Sequence, residues 1–172
     1  MSVPPAGGPS GRVLAVDWGG KRFGVAVSDP GRIIAHPLVT LARRAGKRPP
    51  IAALLELIRE HDVTGLVVGL PLSPDGEETE TTAEVRAFGE ALARRAGLPV
   101  TYQDERLTTA LALRSARAAG VKDRDSRARI DQMAAVAILQ QYLDARRPRG
   151  AEGTEGTEGS AGTGAPGHGG GG

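Results

Sequence analysis

Short apolar runs come first along the chain, and helical periodicity appears only later. Arg12 to Asp17 (RVLAVD) and Phe23 to Ser28 (FGVAVS) are apolar runs joined by the tight WGGKR turn, which predicts a hairpin. Ile33 to Thr40 (IIAHPLVT) follows a Pro-Gly turn at Pro30 and Gly31 and predicts a third strand. Pro37 confines part of that strand to an edge or a bulge, because proline has no N–H to give to a ladder. Ile51, Leu54, Leu55 and Ile58 then recur at helical spacing behind Pro49 and Pro50, residues suited to a helix start. Gly65 to Gly69 (GLVVG) predicts a short buried strand. A helix follows over Thr81 to Ala96, with Val85, Phe88 and Leu92 on one face and Gly97 and Pro99 as stop signals. Val100 to Gln103 is a fifth strand, Thr109 to Ala119 an alanine-rich helix, and Ser126 to Arg146 a last helix. The apolar surface of that last helix is so wide that it must be mostly buried. The order βββαβαβαα predicts an α/β fold, a mixed five-stranded sheet with three antiparallel strands first, flanked by helices.

Composition sets the limits of the folded unit. From Gly150 onward the chain is a Glu-Gly-Thr repeat that dissolves into glycine and has little apolar surface to bury. The expectation is a loose N-terminus over 1–11, one folded domain over 12–149 and a disordered tail over 150–172. No run approaches the roughly 20 apolar residues that span a bilayer, and no secretory signal is readable at the start, so the cytoplasm is the expected location. With no cysteine, disulfides, thiolate metal sites and a cysteine nucleophile are excluded.

Charge then narrows the partner. The last 22 residues carry Glu152, Glu155 and Glu158 and no Lys or Arg, which leaves 22 basic against 17 acidic residues in the first 150. From Arg106 to Gly150 the count is 10 to 4, a surplus that suggests a polyanion.

Three acidic residues fall where a sheet can gather them: Asp17 at the end of the first strand, Glu105 at the end of the fifth, and Asp131 in the opening turns of the last helix. If strands one and five are neighbours, their carboxyl ends converge. Carboxylates held together repel unless a cation neutralises them, and oxygen ligands suit Mg²⁺ or Mn²⁺. A pair of such ions can activate water against a phosphodiester. Each residue also has a structural role to weigh. Asp17 can cap a turn, Glu105 can pair with Arg106, and Asp131 can sit as a first-turn acid on the helix dipole. Singly, those roles outweigh catalysis; the shared placement shifts the balance.

Around the trio, the turn from Asp17 to Gly24 offers glycine amides with Lys21 and Arg22 for an anion. The loop Gly69 to Gly76, with Ser73 and Asp75, is placed to touch substrate. Trp18 can stack on a base or pack, and His36 reads as a core histidine. A similar Asp-x-Gly hairpin opens the sugar-kinase and actin-like ATPase domains, but those hold nucleotide between two such domains, more than the 138 residues of 12–149 supply.

Four ordered motifs carry a resemblance: Asp17-x-Gly19-x-Lys21-Arg22-x-Gly24-Val25-Ala26; Val67 to Pro71 with Asp75-Gly76; Asp104-Glu105-Arg106-Leu107-Thr108-Thr109; and Asp131 with Ala134-Ala135 and Ile138 to Leu143. Together they resemble the YqgF family of pre-16S ribosomal RNA nucleases, also described as Holliday junction resolvase-like. The resemblance implies an RNase H-like fold, with Asp17, Glu105 and Asp131 as catalytic, metal-binding carboxylates for Mg²⁺ or Mn²⁺. With the turn and loop read above, the expected substrate contacts are Lys21, Arg22, Arg106, Ser73 and Asp75, and the expected partner is pre-16S ribosomal RNA or branched DNA, bound by a monomer or homodimer. A nucleic-acid-binding module without chemistry is the remaining alternative. The chain departs from the family at Ser73-Pro74, where Asn-Met is usual.

Overall fold

The computed structural model describes residues 10–44, 46 and 48–147. The elements run β1 (Arg12–Trp18), β2 (Arg22–Ser28), β3 (Ala35–Ala42), α1 (Ile51–Glu60), β4 (Val63–Leu70), α2 (Glu80–Ala96), β5 (Val100–Asp104), a single 3-10 turn (Glu105–Leu107), α3 (Ala110–Ala118) and α4 (Arg124–Ala145). The five strands form one sheet in the order β3-β2-β1-β4-β5. β1 is antiparallel to β2 and parallel to β4; β2 is antiparallel to β3, and β4 parallel to β5. This is the mixed, helix-flanked five-stranded sheet, with three antiparallel strands first, that the order of elements predicts. The elements fall inside the expected domain of 12–149, whereas most of segment 1–11 and all of 150–172 lie outside the described residues. Among the described residues, no helix is long and apolar enough to cross a membrane.

Side chains alternate across the sheet, so each strand feeds two cores. On one face Leu14, Val16, Phe23, Val25, Leu66 and Val68 pack with Leu54 and Ile58 of α1 and with Val85, Phe88 and Leu92 of α2. On the other, Val13, Ala15, Ala26 and Val67 meet Ala134, Ala135, Ile138 and Leu139 of α4. Burial on both faces explains why the strands read as continuous apolar runs rather than alternating ones. The second core is built from small residues, and that lets α4 lie close to the sheet. A Cβ at Gly24 would strike the main-chain carbonyl of Asp131, and one at Gly69 would meet Ile138 Cδ1.

Two expectations about β3 separate. Pro37 does sit on an edge strand at an irregularity: Val25 pairs with Val39 and Ala26 with Pro37, leaving Leu38 as the extra residue. His36, however, is exposed on that edge and is no core histidine. The expected adjacency of strands one and five is also corrected, because β4 runs between them. β1 takes its parallel partner from the first βαβ crossover, and β5 adds outside it.

Candidate active site

The carboxyl ends of β1, β4 and β5 lie at one end of the sheet, the place where open α/β sheets bind ligands. Asp17 continues the Val13–Ala15 side of β1 and so faces α4. Across that face β4 offers Gly69, whose missing side chain leaves the Asp17 carboxylate room. Glu105 opens the 3-10 turn that ends β5, with Asp104 capping it by accepting the Arg106 N–H. Asp131 faces the sheet from α4. All three are buried, with 2%, 3% and 3% of their surface exposed. The fold thus buries all three carboxylates at one end of the sheet even though β1 and β5 are not neighbours.

Each carboxylate meets a guanidinium. Arg114 of α3 bridges two of them, donating to Asp17 through Nε at 3.2 Å and through Nη2, and to Glu105 through Nη1 at 3.1 Å and Nη2. Asp131 takes Arg117 at 2.6 Å and Arg22 Nε at 3.3 Å. Burial raises the Asp17 carboxyl above its ordinary pKa against the pull of Arg114, and Glu105 and Asp131 push it the same way, a sign of how near they stand. Burial likewise raises Asp131, against Arg117 and Arg22. Although burial works against its charge, Arg114 is held above its ordinary value by Asp17 and Glu105. Solvent reaches Arg114 through a groove bordered by Trp18, Arg43 and Glu84.

Among the described residues, no three Asp, Glu, His or Cys side chains are gathered as a ready metal-holding group. Arg114 lies between Asp17 and Glu105, while Asp131 faces the other two arginines. The donor chemistry still fits a hard divalent cation, since three buried carboxylates offer oxygen only and carry charge that something must neutralise. Here three arginines do so. A divalent ion would have to compete with Arg114 for Asp17 and Glu105.

The structural roles weighed for each acid fare differently. Glu105 does not pair with Arg106, which instead grips Asp104 at 2.7 Å and reaches the Pro74 carbonyl at 3.3 Å. Asp131 is the eighth residue of α4, beyond the first turn where the helix dipole would act. The cap of α4 is Asp123, which accepts the Ser126 N–H. Trp18 packs, its ring 5.2 Å from Phe23 and from Phe88 with the Arg43 guanidinium 4.4 Å over it.

Of the expected substrate residues, Lys21 is exposed on the β1–β2 turn, whereas Arg22 is turned inward to Asp131. Ser73 closes its own loop, its hydroxyl accepting the Glu77 N–H at 3.1 Å. Asp75 is exposed on that loop, and Arg106 braces it. Arg114 and Arg117 are absent from the sequence-based set. Their signal was helical spacing: they lie four and seven residues after the buried Ala110, on the inward face of α3.

The family whose model matches the chain is RuvX: Holliday junction resolvase, over residues 11–145. A "Putative pre-16S rRNA nuclease" of Roseiflexus sp. (strain RS-1) is 43% identical over 137 residues, covering 80% of this chain and 96% of the relative. A protein of the same description from Streptomyces avermitilis is 46% identical over 143 residues, covering 81% and 90%. Among solved structures, Thermus thermophilus RuvC in complex with a Holliday junction substrate aligns over 78% of this chain and 94% of its own, at 17% identity and a TM-score of 0.47.

Proposed function

Because the chain belongs to the RuvX family and is a nuclease, we propose that it hydrolyses phosphodiester bonds in the 5′ maturation of pre-16S ribosomal RNA, with Asp17, Glu105 and Asp131 as its catalytic carboxylates. The observation that carries this reading is the burial of three carboxylates at one end of the sheet, Asp17 on β1, Glu105 after β5 and Asp131 on α4, against arginines that balance their charge. Burying charge is costly, and three buried carboxylates brought to one end of a sheet are the arrangement that functional sites favour.

Asp17, Glu105 and Asp131 would hold Mg²⁺ or Mn²⁺, as a pair of ions if both oxygen sets are used. The metal would supply an activated water and stabilise the leaving oxygen. The protein's own part is positional. Gly24 and Gly69 let α4 approach, so that Asp131 stands at a fixed depth from Asp17. Arg117 and Arg22 hold the Asp131 carboxylate in one orientation, and Arg114 pairs with both Asp17 and Glu105, a place another cation would have to take. Lys21, at the rim, offers charge to a phosphate, while Asp104 with Arg106 steadies the loop that carries Ser73 and Asp75.

Resolution of four-way DNA junctions is the second reading, favoured by the description of the matched family. It requires symmetric cuts in two strands and therefore a two-fold dimer. A cleavage assay with Mg²⁺ or Mn²⁺, offering a pre-16S fragment beside a four-way junction, separates the two. Cutting of the RNA by a monomer, lost in Asp17→Asn and Glu105→Gln, is the expected result. Paired cuts in the junction by a dimer, with the RNA intact, would replace the first reading by the second.

A further inference from the structure

Beside Asp131 the surface opens into a cleft of about 550 Å³ between the β1–β2 turn and the loop joining α3 to α4. Its charged lining is wholly cationic: Lys21 and Arg22 from the turn, Arg117 from α3, Lys122 from the loop and Arg127 from α4. Two of these are committed, because Arg22 and Arg117 form the inner wall and give their charge to Asp131. The other three make no side-chain hydrogen bond or ion pair. Arg127 goes further, for its Nε is buried and without a partner. Asp123, one turn earlier at the cap of α4, accepts the backbone N–H and hydroxyl of Ser126 and attracts Arg127 through space without a hydrogen bond or ion-pair contact to it.

Cations crowded in this way repel, and a buried guanidinium nitrogen without an acceptor costs free energy, so the arrangement is incomplete without an anion. Lys21, Lys122 and Arg127 approach the cleft from three separate elements, an arrangement suited to a chain of phosphates. The cleft also shares its inner wall with the carboxylate site, so an occupant is led to the reacting centre. An acidic protein segment would meet the same charges but would gain nothing from that continuity.

Resting on the nuclease reading above, we propose that this cleft is the track for the substrate strand next to the scissile bond, with Lys21, Lys122 and Arg127 taking successive backbone phosphates. Lys122 and Arg127 thereby become binding residues that neither the sequence motifs nor the carboxylate site pointed to. Glycine at position 120 suits such a track, since there is no side chain to narrow the loop.

Binding to a fluorescein-labelled single-stranded oligoribonucleotide, measured in EDTA across a salt series, tests this. Each phosphate contact contributes about 0.7 to the slope of log K against log salt for a single strand. Lys122→Ala and Arg127→Gln should each lower the slope by about that amount, which corresponds to roughly eightfold weaker binding at 50 mM salt and threefold at 200 mM. Arg127→Lys, which keeps the charge, should restore most of the slope. Arg95→Ala, an equal charge loss on exposed α2, should leave it unchanged. If wild type binds with a steep slope and both cleft variants behave like Arg95→Ala, the cleft assignment falls and the nuclease reading stands. If wild type binds neither this RNA nor a four-way DNA junction, both fall. Lys122 is exposed in a loop, so its variant reads binding even if changes at Arg127 disturb α4. Loss of poly-glutamate binding in these variants, with RNA binding intact, would also overturn the proposal in favour of an acidic protein partner.

Discussion

Arg114 is the residue on which the site turns, because one guanidinium serves two buried carboxylates. Removing it leaves Asp17 and Glu105 in a poorly solvated place without a counter-charge, a change that costs about 3 kcal/mol in comparable buried pairs. Arg114→Ala should therefore melt markedly lower than wild type in EDTA. Added Mn²⁺ should recover more of the melting temperature in the variant than in wild type, since the ion no longer competes with the arginine. An equal drop with and without Mn²⁺ would make Arg114 a simple brace. Asp131 behaves in the opposite way. Burial raises its carboxyl more than Arg117 and Arg22 lower it, so its ionised form adds little to stability. Asp131→Asn should melt within about 1 kcal/mol of wild type in EDTA, yet lose about a hundredfold or more in cleavage. A variant that is less stable but fully active would remove Asp131 from the site. The acidic members were legible in the sequence because strand ends and a helix next to small residues are where carboxylates can converge. Their arginine partners were not, because Arg114 and Arg117 lie in a helix whose sequence reads as alanine with solvated cations, and only the fold shows which face turns inward.

At the scale of elements, the decisive contact is α4 against the sheet. Gly24 and Gly69 both permit it, but what each would touch differs. A Cβ at Gly24 meets the backbone carbonyl of Asp131, which cannot move without shifting α4, whereas a Cβ at Gly69 meets the tip of a flexible isoleucine. Gly24→Ala should cost about 2–3 kcal/mol and reduce cleavage together, because the same displacement carries Asp131 away from Asp17. Gly69→Ala should cost less, and Ile138→Val in that background should return part of the loss. Thermal melts with matched cleavage rates check both, and equal costs at the two positions would contradict the close approach of α4. This contact also explains what the sequence withheld about topology. The apolar runs revealed five strands and their order in the chain, and Pro37 marked the edge. Strand neighbours depend on crossovers, though, and nothing local in Arg12 to Asp17 says that β4 rather than β5 lies beside it. Helix ends moved by only a residue or two, as at α2. There Thr79 supplies the cap and forms a capping box with Thr82.

Across the whole molecule, the two ends of the sheet have different tasks. The carboxyl ends of β1, β4 and β5 hold the proposed site, while the other end of β1 is tied down by the turn after β2. In that turn Asp29 accepts N–H bonds from Ile34 at 2.7 Å, Ile33 at 2.8 Å and Gly31 at 3.1 Å. Arg32 adopts a left-handed φ of 57° there, and its side chain holds the Gly11 carbonyl and Thr64. The hydrogen bond from Ile34, the largest influence, together with those from Ile33 and Gly31, outweighs burial and holds the Asp29 carboxyl below its ordinary 3.8. Because the folded value is the lower one, its contribution is complete above about pH 4 and disappears as pH falls through the folded value. Asp29→Ala should thus cost about 1 kcal/mol at pH 7, a figure kept small because the turn is near the surface. At pH below the folded value of Asp29 the variant and wild type should converge. Cleavage at pH 7 should be untouched at temperatures where both remain folded, which reverses the pattern expected of Asp131→Asn. If the ends are independent, the double variant should show the stability loss of one and the activity loss of the other without interaction. A coupling larger than about 0.5 kcal/mol would mean that β1 transmits strain along its length, and that the turn at Asp29 helps to set the position of Asp17.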